Sequence, residues 1–317
     1  MVLGAVAVGI VLPATAANAE PTPSQLAQQI EAESIQLEKI VEQYNLVTEQ
    51  LKATQAAIAE LTGKMTPLQA DLDATSANVA QFAVSAYKNG PATTMSVLLN
   101  TGSSDALLDS LASLDQIARS QRRTLAAFTD LKVQYDGKKK DLDALLAQQT
   151  KQQADLTGTR TRIEADLVRL NDLKRRLLAA RPPPPPPPSG GGGGANPAPP
   201  YVAGRAGIAV KFAYGQLGKP YQWGADGPGS YDCSGLTMAA WRAAGLSLPH
   251  NAAMQWRSIP HISRSVLRPG DLVFYYNLGH VAIYVGNNQV IHAPTFGDHV
   301  KISSVDMARP YGYGRPA

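Results

Sequence analysis

The chain has one cysteine, Cys233, in 317 residues. That excludes an intrachain disulfide and any cysteine-cluster zinc site, and leaves a lone thiol that is either inert packing or chemistry. Aromatic residues make up 6% and charged residues 17%. Net charge is only +4, with basic residues interspersed among 25 acidic ones, so massed arms of the nucleic-acid-binding kind are absent. No Lys or Arg precedes Lys39, and no Glu follows Glu164. Carboxylate chemistry in the last third must therefore come from Asp226, Asp232, Asp271, Asp298 or Asp306. That last third is basic, with ten Lys plus Arg against five Asp from Tyr201 onward, and it holds Trp223, Trp241 and Trp256, all three of the tryptophans.

The composition otherwise fits a soluble protein of about two domains. Val2 to Leu12 is a short apolar run, and Ala17-Asn18-Ala19 has the small-x-small form that a signal peptidase reads. Residues 1–19 are expected to be a signal peptide. The missing basic start points to an initiation inside a longer leader. The run is too short for a membrane span, and no cysteine near the cleavage point offers a lipid anchor.

Residues 20–181 are expected to form an all-α coiled-coil hairpin. Leu26, Ile30, Leu37, Ile40, Tyr44, Val47, Leu51, Ile58, Leu61, Met65, Leu68, Leu72, Val79 and Phe82 recur at alternating steps of four and three, with Glu33, Thr54 and Thr75 at the positions between the wider steps. Pro67 should kink or split this arm near Gly63 to Thr66. Asn89-Gly90-Pro91 and Asn100-Thr101-Gly102 read as turns flanking a short apolar tip, with Met95, Val97, Leu98 and Leu99 free to meet a partner. A second arm, from about Ser104 to Ala180, carries Leu107, Leu111, Leu114, Leu125, Phe128, Tyr135, Leu142, Leu146, Leu156, Ile163, Leu167 and Leu170. An arm of about 60 residues reaches roughly 90 Å. Residues 182–203 are a linker. Pro182 to Pro188 is a stiff spacer of about 22 Å, and Gly190 to Gly194 adds a flexible joint, so the flanking domains should move independently.

From 204 to 317 the pattern becomes α+β. Helices are expected at Ile208 to Leu217 and Cys233 to Ala244. Strands are expected at Leu272 to Tyr276, His280 to Val285, Gln289 to His292 and His299 to Ser303, with a hairpin turn at Gly286-Asn287-Asn288. Cys233 opens the second helix, where the dipole favours a thiolate. His280 starts one strand and His292 ends the next, so the two imidazoles should lie side by side, one as base for the thiol and one holding it. His250, His261 and His299 sit beside Pro or turn residues and are read as solvent-exposed. Asp271 is read as a turn cap. Arg242, Arg257, Arg264 and Arg268 serve either an anionic ligand or solubility.

The motifs Tyr221-x-Trp223-Gly224, Asp232-Cys233-Ser234-Gly235, Arg268-Pro269-Gly270-Asp271-Leu272, His280-Val281-Ala282-Ile283-Tyr284 and Ile291-His292-Ala293 resemble, in order, the NlpC/P60 family of papain-like cell-wall cysteine peptidases. The resemblance covers about Gly204 to Tyr313. It implies Cys233 as nucleophile, His280 as general base and then acid, and His292 as the orienting residue. Tyr221 is implied as an oxyanion or substrate contact, and Asp232 and Ser234 as substrate contacts. It further implies hydrolysis of the γ-D-glutamyl-meso-diaminopimelate bond of peptidoglycan stem peptides, with no metal or cofactor. The architecture as a whole is similar to Rip-type and PcsB-type division hydrolases. That implies export to the cell wall and a coiled coil that meets an FtsEX-type membrane regulator and restrains the peptidase. Two other readings stay open: a non-catalytic adaptor that binds the wall or activates another enzyme, and a papain-like amidase or acyltransferase, including the CHAP type.

Overall fold

A computed structural model describes residues 21–99, 104–180 and 197–316. The leader, the Asn100-Thr101-Gly102 turn, the Pro182–Pro188 and Gly190–Gly194 runs and the side chains of the apolar tip lie outside the described residues. Two compact units emerge, one of residues 1–45 with 159–317 and one of residues 46–158. The start of the first arm and the end of the second thus pack with the C-terminal domain rather than with the rest of their own helices.

Helix α1 runs Pro23–Leu99 and α2 runs Ser104–Ala180. Both long helices are continuous, which corrects two expectations. Pro67 does not split α1, and Asn89-Gly90-Pro91 does not end it. A proline removes one N–H and one hydrogen bond, a cost that dozens of flanking helical residues in good heptad register can carry.

In the unit 46–158, Leu51, Thr54, Ile58, Leu61, Met65, Leu68 and Leu72 of α1 are buried or half-buried, matching the expected stripe. In α2 the seam keeps Leu114, Phe128, Tyr135, Leu142 and Leu156 of the expected stripe and adds Leu131, Leu145 and Gln152. Leu107, Leu111, Leu125 and Leu146, expected in the stripe, are exposed. Two adjacent leucines, such as Leu145 and Leu146, satisfy a heptad count equally well, and the partner helix decides between them. The outer faces carry i,i+4 pairs such as Lys132–Asp136 at 2.9 Å, each worth only a few tenths of a kcal/mol.

In the other unit the helices run antiparallel. Leu37, Ile40 and Val41 pack on Ile163 and Leu170, Glu33 pairs with Arg169, and Tyr44 lies near Arg160. Here α1 is buried on a second side as well. Ser34, Glu38, Glu42 and Asn45, a polar row spaced by three and four, are all buried. The residues that cover them belong to the C-terminal domain.

That domain has helices α3 (Gly204–Tyr214), α4 (Cys233–Ala243) and α5 (Ala252–Ser258) and six strands. The strands are β1 (His261–Ile262), β2 (Leu272–Tyr275), β3 (His280–Gly286), β4 (Gln289–His292), β5 (Lys301–Ser304) and β6 (Pro310–Gly314). They form one antiparallel sheet in the order β1-β6-β2-β3-β4-β5. The expected elements are present with ends shifted by a few residues. α5, β1 and β6 are additions that a short or Gly-rich sequence conceals. Asn287 and Asn288 adopt φ of 53° and 56°, the left-handed pair that a tight β3–β4 turn requires.

Alternation divides the strands. Leu272, Phe274, Val281, Ile283, Val285 and Ile291 face the core shared with α3 and α4, while Val273, Tyr275, Ala282 and Val290 build a smaller cluster with Val305. Asp271 does cap a turn, accepting from the Arg268 N–H at 2.7 Å, and it also takes both Arg315 nitrogens at 2.7 Å.

Candidate active site

The Asp232-Cys233-Ser234-Gly235 run is a helix start with little freedom. Asp232 has extended φ and ψ, and its carboxylate accepts from the Gly235 N–H at 2.7 Å, which fixes Cys233 as the first residue of α4. Gly235 is required because a Cβ there would stand 2.2 Å from the Ala225 carbonyl oxygen. The second Asp232 oxygen accepts from the Gly224 N–H at 2.8 Å, tying in the Tyr221-Gln222-Trp223-Gly224 segment. Gln255 of α5 is fully buried, bonds Thr237 at 2.8 Å and donates to the Ser234 and Pro249 carbonyls at 2.9 Å, so α5 is braced on α4.

His250 overturns its expected exposure. Its Nε2 lies 2.8 and 3.0 Å from the two Asp232 oxygens. Burial pulls its pKa down, but the Asp232 charge and hydrogen bond prevail and hold the imidazole above its ordinary value. A His after Leu-Pro looked like a loop residue, and no local pattern marks its partner 18 positions away.

The two histidines of the sheet meet as expected. The β3–β4 register pairs Ile283 with Ile291, so His280 and His292 are diagonal neighbours on one face. His280 Nε2 lies 2.9 Å from His292 Nδ1, and His292 Nε2 lies 2.9 Å from Ser303 Oγ on β5. Ser303 was not anticipated, since a serine in an exposed-looking strand carries no signal. Both imidazoles are held neutral. Burial and His292 pull His280 well below its ordinary value, against a smaller opposing effect of Asp232. Burial and Lys301 bring His292 down to about 3.

Cys233 is 2% exposed and next to β3, with the Val281 N–H donating to its sulfur. The acid it donates to lies outside the domain. The thiol donates to Glu42 Oε1 of α1 at 3.4 Å. Glu42 Oε1 also accepts from Ser234 Oγ at 2.7 Å, and Oε2 accepts from Asn251 Nδ2 at 2.8 Å and the Ala252 N–H at 2.6 Å. Asn45 donates to Asp232 at 3.0 Å, and Tyr44 packs edge-on to Trp223 with ring centroids 5.1 Å apart. Glu38 Oε2 lies 3.4 Å from His280 Nδ1 without a hydrogen bond.

The electrostatic result is a closed site. Burial first, then Glu42, Asp232 and Glu38, push the Cys233 thiol well above its ordinary value, with the Val281 N–H opposing. Burial and the Asp232 charge raise Glu42 to about 7 against its hydrogen bonds from Ser234, Ala252 and Cys233. Tyr221 belongs to the same cluster. Burial raises its phenol, and Asp232, Cys233, Glu38 and Glu42 add to that. The anticipated residues fall in two groups linked by Asp232 and β3: Tyr221 feels the charges of Asp232 and Cys233 and Ser234 donates to Asp232 at 3.3 Å, while His280 meets His292 and feels the Asp232 charge. Glu38, Glu42, Asn45, His250, Asn251 and Ser303 were not anticipated. Arg242 and Arg264, by contrast, are engaged by Asp226 at 3.0 Å and Asp306 at 2.7 Å.

Comparison with known proteins gives a family match within the C-terminal domain. Residues 218–312 match the NlpC/P60 family. A protein of Mycobacterium tuberculosis (strain H37Rv) named a probable endopeptidase is 39% identical over 102 residues, 32% of this chain and 26% of the relative. "Probable endopeptidase p60" of Listeria monocytogenes is 50% identical over 84 residues, 26% of this chain and 17% of the relative. The chain thus spans about a quarter or less of the length of these curated relatives. Among solved structures, the NlpC/p60 domain of the peptidoglycan hydrolase SagA is 35% identical, covering 35% of this chain and 98% of that one, with a TM-score of 0.33.

Proposed function

We propose that the chain, whose residues 218–312 match the NlpC/P60 family, is a peptidoglycan endopeptidase that cuts between γ-D-glutamate and meso-diaminopimelate. The observation that carries the reading is the thiol at the start of α4, bonded by the N–H of Val281, the residue after His280 in β3, together with the His280–His292 pair 2.9 Å apart, all inside the matched segment. In this mechanism Ser303 and His292 fix the tautomer of His280 by engaging its Nε2 side, leaving Nδ1 to take the Cys233 proton. The thiolate attacks the γ-carbonyl, and backbone N–H groups near Cys233, with Tyr221, stabilise the oxyanion. Protonated His280 then releases the diaminopimelate amine, and water hydrolyses the thioester.

Asp232 and Ser234 contact the substrate on this reading. Two further features favour restraint of the enzyme by its own helical region. Glu42 occupies the thiol's surroundings, and Glu38 faces the nitrogen that the mechanism needs. The linker 182–203 would give the domain 204–317 freedom to leave α1 when a membrane partner of the FtsEX type engages the helices. Residues 1–19 would export the chain to the cell wall, where it would act in division or daughter-cell separation.

The test is mass spectrometry of a diaminopimelate-containing muropeptide incubated with full-length wild type, Glu42→Ala and Glu42→Ala/Cys233→Ala. The expected result is a product split after γ-D-glutamate that is strongest with Glu42→Ala and absent without Cys233. A folded Glu42→Ala protein that leaves the muropeptide intact would favour the adaptor, and transfer or cleavage at another amide would favour the amidase or acyltransferase.

A further inference from the structure

A glutamate side chain ends in two methylenes and a carboxylate. Hydrolysis of a γ-glutamyl amide frees that same group, because the scissile carbonyl of a γ-linked glutamate is its side-chain carbonyl. In this chain a glutamate side chain already occupies the space in front of the nucleophile. We propose that Glu42 is an internal mimic of the γ-glutamyl product, seated by Ser234, Asn251 and the Ala252 N–H in the subsite that receives the substrate's γ-carbonyl. The inference rests on the γ-glutamyl endopeptidase reading above and names how the restraint works.

The contacts separate a seated ligand from a passing surface charge. Both Glu42 oxygens are engaged. Oε1 takes the Ser234 hydroxyl at 2.7 Å and touches the thiol at 3.4 Å, and Oε2 takes Asn251 Nδ2 at 2.8 Å and the Ala252 N–H at 2.6 Å. These donors are preformed within the domain. Asn251 is held by its own Oδ1, which accepts from the Met254 N–H at 2.9 Å, and the Ser234 carbonyl by Gln255 at 2.9 Å. Asn251 also donates to the Glu42 main-chain carbonyl at 2.7 Å, so one amide grips both the mimic and the helix that delivers it.

Glu38, one turn earlier, supplies the contrast. It reaches the site too, but its Oε2 finds no donor. A carboxylate meeting the domain at random would resemble Glu38, whereas the four-donor seat of Glu42 is built for an acyl group next to a thiol. During turnover Asn251 and the Ala252 N–H would join the oxyanion donors named above on the thioester carbonyl oxygen, at the Oε2 position, and Ser234 would face the incoming water, at the Oε1 position. When water adds and the C–S bond breaks, the thiol regains its proton and the freed carboxylate lies where Glu42 lies here. Asn251 is accordingly a specificity-determining residue for γ-glutamyl substrates.

The test uses full-length protein and the fact that Cys233 is the only thiol, so intact-mass measurement of iodoacetamide adducts reports on it alone. Glu42→Ala is expected to be alkylated at least tenfold faster than wild type. Glu42→Asp, one methylene short of the seat, is expected to be several-fold faster, and Glu38→Ala to gain less than Glu42→Ala. Millimolar L-alanyl-D-glutamate should slow alkylation of Glu42→Ala several-fold. L-alanyl-D-norvaline, which lacks the γ-carbonyl, should not, and Asn251→Ala added to Glu42→Ala should remove the protection while circular dichroism and melting show the fold retained. The proposal is overturned if Glu42→Ala is alkylated at the wild-type rate, or if L-alanyl-D-glutamate and L-alanyl-D-norvaline protect equally or not at all. Muropeptide cleavage by the same Glu42→Ala protein separates the two readings. Protection without cleavage sinks the endopeptidase and leaves the mimicry, while cleavage without protection does the reverse.

Discussion

Raising the pH should loosen α1 from the active site, and Glu42 sets the scale. Its pKa is about 7 in the docked arrangement against 4.5 for a free glutamate, through burial and the nearby Asp232 charge. A raised carboxylate pKa means the docked state binds the proton more tightly than the released one. Its contribution to docking is therefore fully present below about pH 4.5 and is lost as pH rises to about 7. The difference corresponds to about 3 kcal/mol, or on the order of a hundredfold in the docking equilibrium. Glu38, raised by burial and then by Glu42 and Glu31, acts in the same direction. The groups facing Glu42 from the domain are Asp232, Cys233, Ser234, Asn251 and, through Asp232, His250. The assay is amide hydrogen exchange over residues 34–45, corrected for intrinsic rates, at pH 5 and pH 8. Wild type should lose protection at pH 8, and Glu42→Gln, which has no proton to lose there, should lose at most half as much. Equal protection at both pH values, or an equal loss in the two proteins, would refute the reasoning.

Two other consequences are measurable in the same chain. In a Glu42→Ala background, His292→Ala should lower kcat by about 10²-fold or more with little change in KM, because His280 loses the partner that sets its tautomer; His292→Gln should recover part of the loss, and an unchanged kcat would remove His292 from the relay. Gly235→Ala should destabilise the domain by about 1–3 kcal/mol and lower its Tm, since the added Cβ would meet the Ala225 carbonyl at 2.2 Å; a wild-type melting curve would show that the turn before α4 yields more readily than its hydrogen bonds imply.

Much of the site was legible because its chemistry is local. Cys233 lies within a helix-capping pattern, and His280 and His292 lie on strands joined by a Gly-Asn-Asn turn, so position in sequence translates directly into position in space. The α1 stripe was legible for the same reason, as Leu51 to Leu72 shows. What failed was information held by a partner. Leu145 and Leu146 compete for one seam, and only the opposing helix selects Leu145. Pro67 and Asn89-Gly90-Pro91 are breakers by propensity, yet a long helix carried through them. His250 acquires meaning only from Asp232, and Ser303 only from His292.

The polar row Ser34, Glu38, Glu42 and Asn45 was hidden for a deeper reason. Burial is inferred from apolar periodicity, and a polar row on a long amphipathic helix reads as the solvated side. The one irregularity was Glu38 and Glu42 at i,i+4, a like-charge pair that an isolated helix tolerates at a small cost. Their polarity is what a releasable restraint needs. An apolar row covering the site would leave an exposed hydrophobic patch on α1 whenever the enzyme opened, inviting association or aggregation. Carboxylates and an amide regain water on release, so the open state costs little. While docked, they bury Cys233, which is the main reason it stays a thiol, and charge on Glu42 and Glu38 adds to that; on the proposal above, Glu42 also fills the seat that substrate would need. Blocking and electrostatic silencing are thus two effects of the same side chain, and a partner that peels α1 away would reverse both at once.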